Sequence, residues 1–187
     1  MKRLAKCVFL LALSVALCGC GYHLAGHSNA LPKSIHVIAV PALENKTTTY
    51  RIEQRLTAAT IHELLAKTHY HVVSDPAAGD AVLRGKVVSL EVTPLVFQTT
   101  AATATTASTA QATVMLVTMK CEVTLTEQTT DKVLYHTDNF LFRNEYELAT
   151  SLSPANVASF FQEGDPALDR MSRDFAQRLV AAVTENY

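Results

Sequence analysis

The chain has 187 residues, 49% of them hydrophobic and 18% charged, with 16 Lys and Arg against 17 Asp and Glu and a formal net charge of -1. That length suits one domain whose core needs no disulfide staples. Balanced charge removes the basic footprint that nucleic acid requires of a partner, and the apolar fraction excludes disorder over most of the chain.

Residues 1–19 read as a bacterial export signal, with Lys2, Arg3 and Lys6 ahead of an apolar run from Val8 to Leu17. A run of about ten residues is too short to span roughly 30 Å of hydrocarbon. It ends in Leu17-Cys18-Gly19-Cys20, which looks like a lipobox. Cleavage before Cys20 is preferred to Cys18, because bulky Leu17 would occupy a position that needs a small side chain. An ordinary secretory signal cut nearby, or an uncleaved apolar N-terminus, is the alternative. On the lipobox reading Cys20 is the lipid attachment site, and residues 20–34 form a lipidated N-terminus and linker. Each buried methylene contributes about 0.8 kcal/mol and a single chain holds weakly, so several acyl chains, palmitate among them, are needed for durable anchoring. Gly21, where an Asp would retain an enteric-type lipoprotein, resembles outer-membrane sorting. The expected location is the periplasmic side of the outer membrane, with the acyl chains in its inner leaflet. Cys7 and Cys18 leave with the signal, so Cys121 is the free thiol of the mature chain.

Ile35 to Val40, stopped by Pro41, reads as the first strand of a domain spanning residues 35–187. Arg51 to Lys67 lacks Gly and Pro and reads as a helix, although Ile52, Leu56, Ile61, Leu64 and Leu65 form no narrow stripe. A short strand over Tyr70 to Val73, a turn through Asp75-Pro76 and Gly79-Asp80, and a strand from Ala81 to Val92 closed near Pro94 follow. Thr99 to Thr113 is almost wholly Thr and Ala, and is expected to be a long, mobile link between two hairpin strands. An inert loop and a contact surface are equal readings of it.

In Met115, Val117, Met119, Cys121, Val123 and Leu125 the apolar residues alternate with Thr118, Lys120, Glu122 and Thr124, a half-buried strand with Cys121 inward. A turn at Asp131-Lys132 leads to a strand from Val133 to Tyr146. Ser153-Pro154 opens a short helix, and Asp165-Pro166 a clean amphipathic one through Leu168, Met171, Phe175, Leu179, Ala182 and Val183 toward Tyr187. The order predicts an α+β two-layer sandwich, with two helices packed on one face of a mostly antiparallel four- to five-stranded sheet.

No phosphate-cradling glycine loop, nucleophile elbow or zinc-binding helix is present, so no enzyme, cofactor or metal is expected. His69 and His71 lack third and fourth ligands for a metal, and His136 with Asp138 lacks an identifiable serine. The open sheet face is the candidate site. Arg84 and Lys86 share one side of their strand and Lys120 lies on the polar side of its own, so the three can approach one another and contact a phosphorylated lipid. With Glu91 and Glu122 close by, a mixed-charge solvated face is the competing reading.

Cys20-Gly21-Tyr22-His23-Leu24 with Gly26, Leu31-Pro32, Ile38-Ala39-Val40-Pro41 leading to Glu44-Asn45-Lys46-Thr47, Leu56-Thr57, and Asp80-Ala81-Val82-Leu83-Arg84-Gly85 resemble the lipopolysaccharide-assembly lipoprotein family, LptE. The resemblance implies a plug and assembly aid for the outer-membrane β-barrel translocon subunit that inserts lipopolysaccharide into the outer leaflet, and a fold of two helices on four strands. It implies lipopolysaccharide contact at a tip of the domain, but the Thr/Ala link departs from a basic pattern and no binding residue transfers. The strand-turn-helix opening also resembles periplasm-facing lipoprotein modules that activate a cell-wall synthase or serve another secretion system. If Cys20 carries the lipid, Cys20→Ala leaves an unprocessed precursor or a soluble form; unchanged acyl labelling and membrane fractionation contradict it.

Overall fold

A computed structural model describes residues 31–100, 109–152 and 166–185. The export signal, Cys20, the link over 101–108 and the short helix expected from Ser153-Pro154 lie outside the described residues. In chain order come β1 (Val37–Ala39), β2 (Glu44–Asn45), α1 (Ile52–Lys67), β3 (His71–Val73), a 3-10 turn (Pro76–Ala78), β4 (Ala81–Thr100), β5 (Thr109–Glu127), β6 (Val133–Leu152) and α2 (Pro166–Glu185). The strand order is β3-β1-β4-β5-β6, with β2 also beside β4.

This is the two-layer α+β arrangement, with a sheet of six strands where four to five were expected. Its pairing is mixed: β1 runs parallel to β3 and β4, β2 runs parallel to β4, and β4, β5 and β6 form an antiparallel meander. The parallel strands are two or three residues long, so the meander of 20, 19 and 20 residues forms most of the sheet. At about 3.3 Å per residue each long strand runs roughly 65 Å.

The alternation on β5 sets the layers. Met115, Val117, Met119, Cys121, Val123 and Leu125 are all buried, while the residues between them are not. Against this row pack Met171, Phe175, Leu179 and Val183 of α2 and Ile52, Leu56 and Leu64 of α1 in one cluster. Phe175 meets Phe140 and Phe142 of β6 edge to face at 5.7 and 5.9 Å, a geometry that places a ring's positive rim on its neighbour's negative face. Asp174 adds a polar anchor, accepting from the Tyr146 hydroxyl at 3.0 Å and from Asn144 Nδ2 at 3.1 Å.

The blurred stripe of α1 has a physical cause. Its buried face runs through Ile52, Leu56, Thr57, Thr60 and Leu64, so two of the five are threonines. Their hydroxyls donate to the carbonyls of Glu53 and Leu56, and Thr57 also accepts from the Leu43 amide. Satisfied this way, a threonine is tolerated in the core although it weakens the apolar pattern.

Two strand limits differ from expectation. β4 continues through Pro94 to Thr100, with register shifts around Val87/Ser89, Pro94/Val96 and Val96/Phe97. Proline is accepted because beyond Val87 no described strand lies on the outer side of β4, so no ladder bond there needs its missing N–H. The Thr/Ala segment likewise supplies strand at both ends, with Thr99 opposite Ala110 and Thr100 opposite Thr109. Thr fits a pleated surface, which favours strand over link.

Asp80 ties the start of β1 to the meander. Its Oδ2 accepts from the amides of His36 and Val37 at 2.8 and 2.9 Å, and its carbonyl accepts from Gln128. The His36 bond, then the Val37 bond, hold the carboxyl below its ordinary value. A depressed carboxyl stabilises the fold above its unfolded pKa of 3.8, and that contribution disappears as pH falls through the folded value. Asp80→Asn is therefore expected to flatten the loss of stability between about pH 5 and pH 2 in urea unfolding. An acid limb identical to that of the parent chain contradicts this role.

Candidate functional site: the open sheet face

Both helices cover one face of the meander, so the side chains of the other face meet no second layer among the described residues. Register places them in rows across the strands. His136, Thr124 and Arg84 form one row, Glu122 and Lys86 the next with Glu44 of β2 beside Lys86, then Leu141, Lys120 and Ser89, and then Arg143, Thr118 and Glu91.

Arg84, Lys86 and Lys120 thus share one face, as expected, but they do not converge on one point. Lys86 and Glu122 form an ion pair directly across β4 and β5, with side chains about one-third exposed. The Glu122 hydrogen bond holds the Lys86 ammonium above its ordinary pKa, helped by the charges of Glu122, Glu44 and Asp138. Lys120 is two residues along β5 from Glu122, a diagonal neighbour of Lys86 at about 8 Å. Arg84 lies two rows from Lys120, about 14 Å along the strands. Among the described residues neither Arg84 nor Lys120 has an ion-pair partner. Arg84 and Lys120 stand apart with a Lys–Glu pair between them, and Arg143 adds a further cation one row beyond Lys120, an arrangement that suits separate anionic groups on one extended ligand rather than a single clasped phosphate.

The hydroxyl missing beside His136 and Asp138 comes from across the sheet. Thr124 Oγ1 is 2.9 Å from His136 Nδ1, and His136 Nε2 is 3.1 Å from Asp138 Oδ1. A chain of hydroxyl, imidazole and carboxylate resembles a nucleophile relay, but such a relay needs its carboxylate shielded to orient the imidazole. The Asp138 side chain is 82% exposed, so the trio is a hydrogen-bonded surface row. Thr124 could not be found from sequence because cross-strand register, not spacing, brings it to His136. On the opposite face burial pushes the Cys121 thiol up to about 12, which keeps it protonated and unreactive. Among the described residues no three His, Cys, Asp or Glu side chains group as a metal site, and no helix is long and apolar enough to cross a membrane.

Beyond the charged rows β4 and β5 lose their charges, while Glu145 and Glu147 of β6 continue opposite Leu116 and Val114. From Val92 to Met119 no residue is charged, and Leu95, Val96 and Phe97 are exposed at 47, 46 and 45%. The arm carrying them contains the outer parts of β4 and β5.

If Glu122 holds Lys86 as described, Glu122→Gln returns the ammonium toward its ordinary lysine value, which NMR titration of the Lys86 ε position reads directly. An unmoved titration contradicts the pairing.

The chain is similar to the PelC dodecamer of Paraburkholderia phytofirmans, with 12% identity, 83% of this chain and 91% of that one covered, and a TM-score of 0.42. It is similar to the hypothetical protein CT253 of Chlamydia trachomatis, with 11% identity, coverage of 79 and 95%, and a TM-score of 0.47. Lipoprotein GNA1162 of Neisseria meningitidis aligns at 13% identity over 66 and 91%, with a TM-score of 0.38. These likenesses carry no functional inference. No curated protein sequence matches the chain. A family model described as lipopolysaccharide-assembly, LptE, matches residues 35–183, which takes in every described strand and helix except the last residues of α2, and the chain belongs to that family.

Proposed function

We propose that this chain is an outer-membrane lipoprotein, held through acyl chains on Cys20, that plugs and helps assemble the lipopolysaccharide-translocating β-barrel and assists lipopolysaccharide insertion into the outer leaflet. Family membership over residues 35–183 carries the reading. The protein acts by binding and positioning and is not an enzyme.

Two properties of the molecule support it. The helix layer gives one side of the sheet a finished surface, while the other stays open with exposed Leu141 and Val88 between charged rows. An uncharged arm can enter a confined, partly dehydrated lumen at low cost, because burying an unpaired charge costs far more than burying Thr, Ala or Val. Arg84 and Lys120, and Lys86 when drawn from Glu122, are proposed to meet phosphates of the lipopolysaccharide. Guanidinium and ammonium groups form charge-assisted hydrogen bonds to such oxygens.

The test has two parts. Affinity isolation of the lipidated chain from outer membranes is expected to recover a lipopolysaccharide-transport barrel; recovery of a cell-wall synthase instead overturns the reading. Arg84→Glu with Lys120→Glu is expected to weaken lipopolysaccharide binding at least tenfold, and the parent chain's affinity should fall steeply with salt, since screening acts on exposed charges. Equal binding by the double variant removes the phosphate contact.

A further inference from the structure

The two outer edges of the long meander are treated differently. In an antiparallel strand the N–H and C=O of one residue point to the same side, and successive residues alternate. On β6 the carbonyls of Arg143 and Glu147 face outward, and α2 closes over them: Arg178 Nη1 donates to Arg143 O at 3.0 Å and Arg170 Nη2 to Glu147 O at 3.3 Å. Arg178 is held there by stacking over Phe142, 5.0 Å from the ring centre.

No described group does this for β4 beyond Val87. The last outer-side bond is Lys46 N–H to Val87 O at 2.9 Å. Val87 therefore faces outward, and the register shift after it carries the alternation to Leu90, Val92 and Pro94, which lie opposite Met119, Val117 and Met115. Ser89, Glu91 and Thr93 turn their main-chain groups to β5. The free edge thus presents the N–H and C=O of Leu90 and Val92 and the carbonyl of Pro94. Soluble proteins blunt such an edge with charge, proline or a cover. Here Glu91 is the last charge, and Pro94 with its neighbouring shifts limits the open ladder to a short stretch.

We propose that the β4 edge from Leu90 to Pro94 is a docking strand, and that an extended, uncharged segment of the β-barrel partner adds to it by main-chain pairing. This rests on the function proposed above and names the surface through which the partner is held. Strand addition takes its affinity from main-chain bonds and its selectivity from alternate side chains. Beyond Glu91 an uncharged incoming segment fits, because β4 and β5 carry no charge from Val92 to Met119 that could pair with one on the partner. Where a barrel wall excludes water from this edge each unpaired N–H and C=O is costly, and a strand laid on it satisfies them.

Val92→Pro deletes one outward N–H without touching the β5 ladder, and Val92→Ala keeps that N–H while losing more side chain. Isolation from outer membranes is expected to lose at least tenfold of the barrel with Val92→Pro and to retain it with Val92→Ala, at equal far-ultraviolet circular dichroism. Photo-crosslinking residues placed at Thr93 and Leu95 of the otherwise unaltered chain keep the proposal testable if the proline variant does not fold. Their crosslinks are expected within one short uncharged segment of the barrel. Scattered crosslinks, crosslinks to a second copy of this chain, or full barrel recovery by Val92→Pro overturn strand addition while leaving the plug reading intact. Failure of the parent chain to recover a barrel overturns both.

Discussion

The burial of one side of β5 is the constraint on which the rest of the molecule depends. Six alternating side chains from Met115 to Leu125 point into a common core with α1 and α2. A strand has period two, so committing this set to the helices commits Thr118, Lys120, Glu122 and Thr124 to the other side. Everything offered to a partner follows from that division: the charged rows, the exposed Leu141, and the separation of Lys86 from Lys120 by the register of the sheet. A slip of one residue would exchange the two faces, and Phe175, locked edge to face between Phe140 and Phe142, opposes such a slip.

A one-sided sheet also has two edges to manage. α2 covers part of one of them, since it brings Arg178 and Arg170 to the outward carbonyls of Arg143 and Glu147 while its apolar face packs on the core. The β1, β2 and β3 layer resolves only the beginning of the other, because β2 has two residues and ends at Asn45. The edge that remains belongs to the same strand that enters the chargeless arm. Open face, bare edge and the uncharged parts of β4 and β5 therefore meet along β4, which makes this strand the side of contact for the enclosing barrel proposed above.

Much of this was legible in the sequence where a pattern had one physical cause. The β5 alternation and the α2 stripe predicted their elements, their faces and the two-layer fold. The reading failed where two causes competed. Pro94 signals a strand end only if both sides of the strand are paired, and sequence does not reveal which side is free. Thr57 and Thr60 look surface-like until the i-4 carbonyls that satisfy them are seen. The two- and three-residue parallel strands were hidden because so few residues carry no periodicity. For the site, sequence placed Arg84, Lys86 and Lys120 on one face, but the pairing of Lys86 with Glu122 and the meeting of Thr124 with His136 are products of cross-strand register.

Amide hydrogen exchange resolved by residue tests the central claim most directly, that among the described residues the outer side of β4 beyond Val87 carries no strand. The account predicts fast exchange at Leu90 and Val92 between slowly exchanging Ser89, Glu91 and Thr93, a two-residue alternation produced by a ladder on one side only. Uniform protection from Ser89 to Thr93 would contradict it, since it would mean that the outer side of β4 is already paired within the chain.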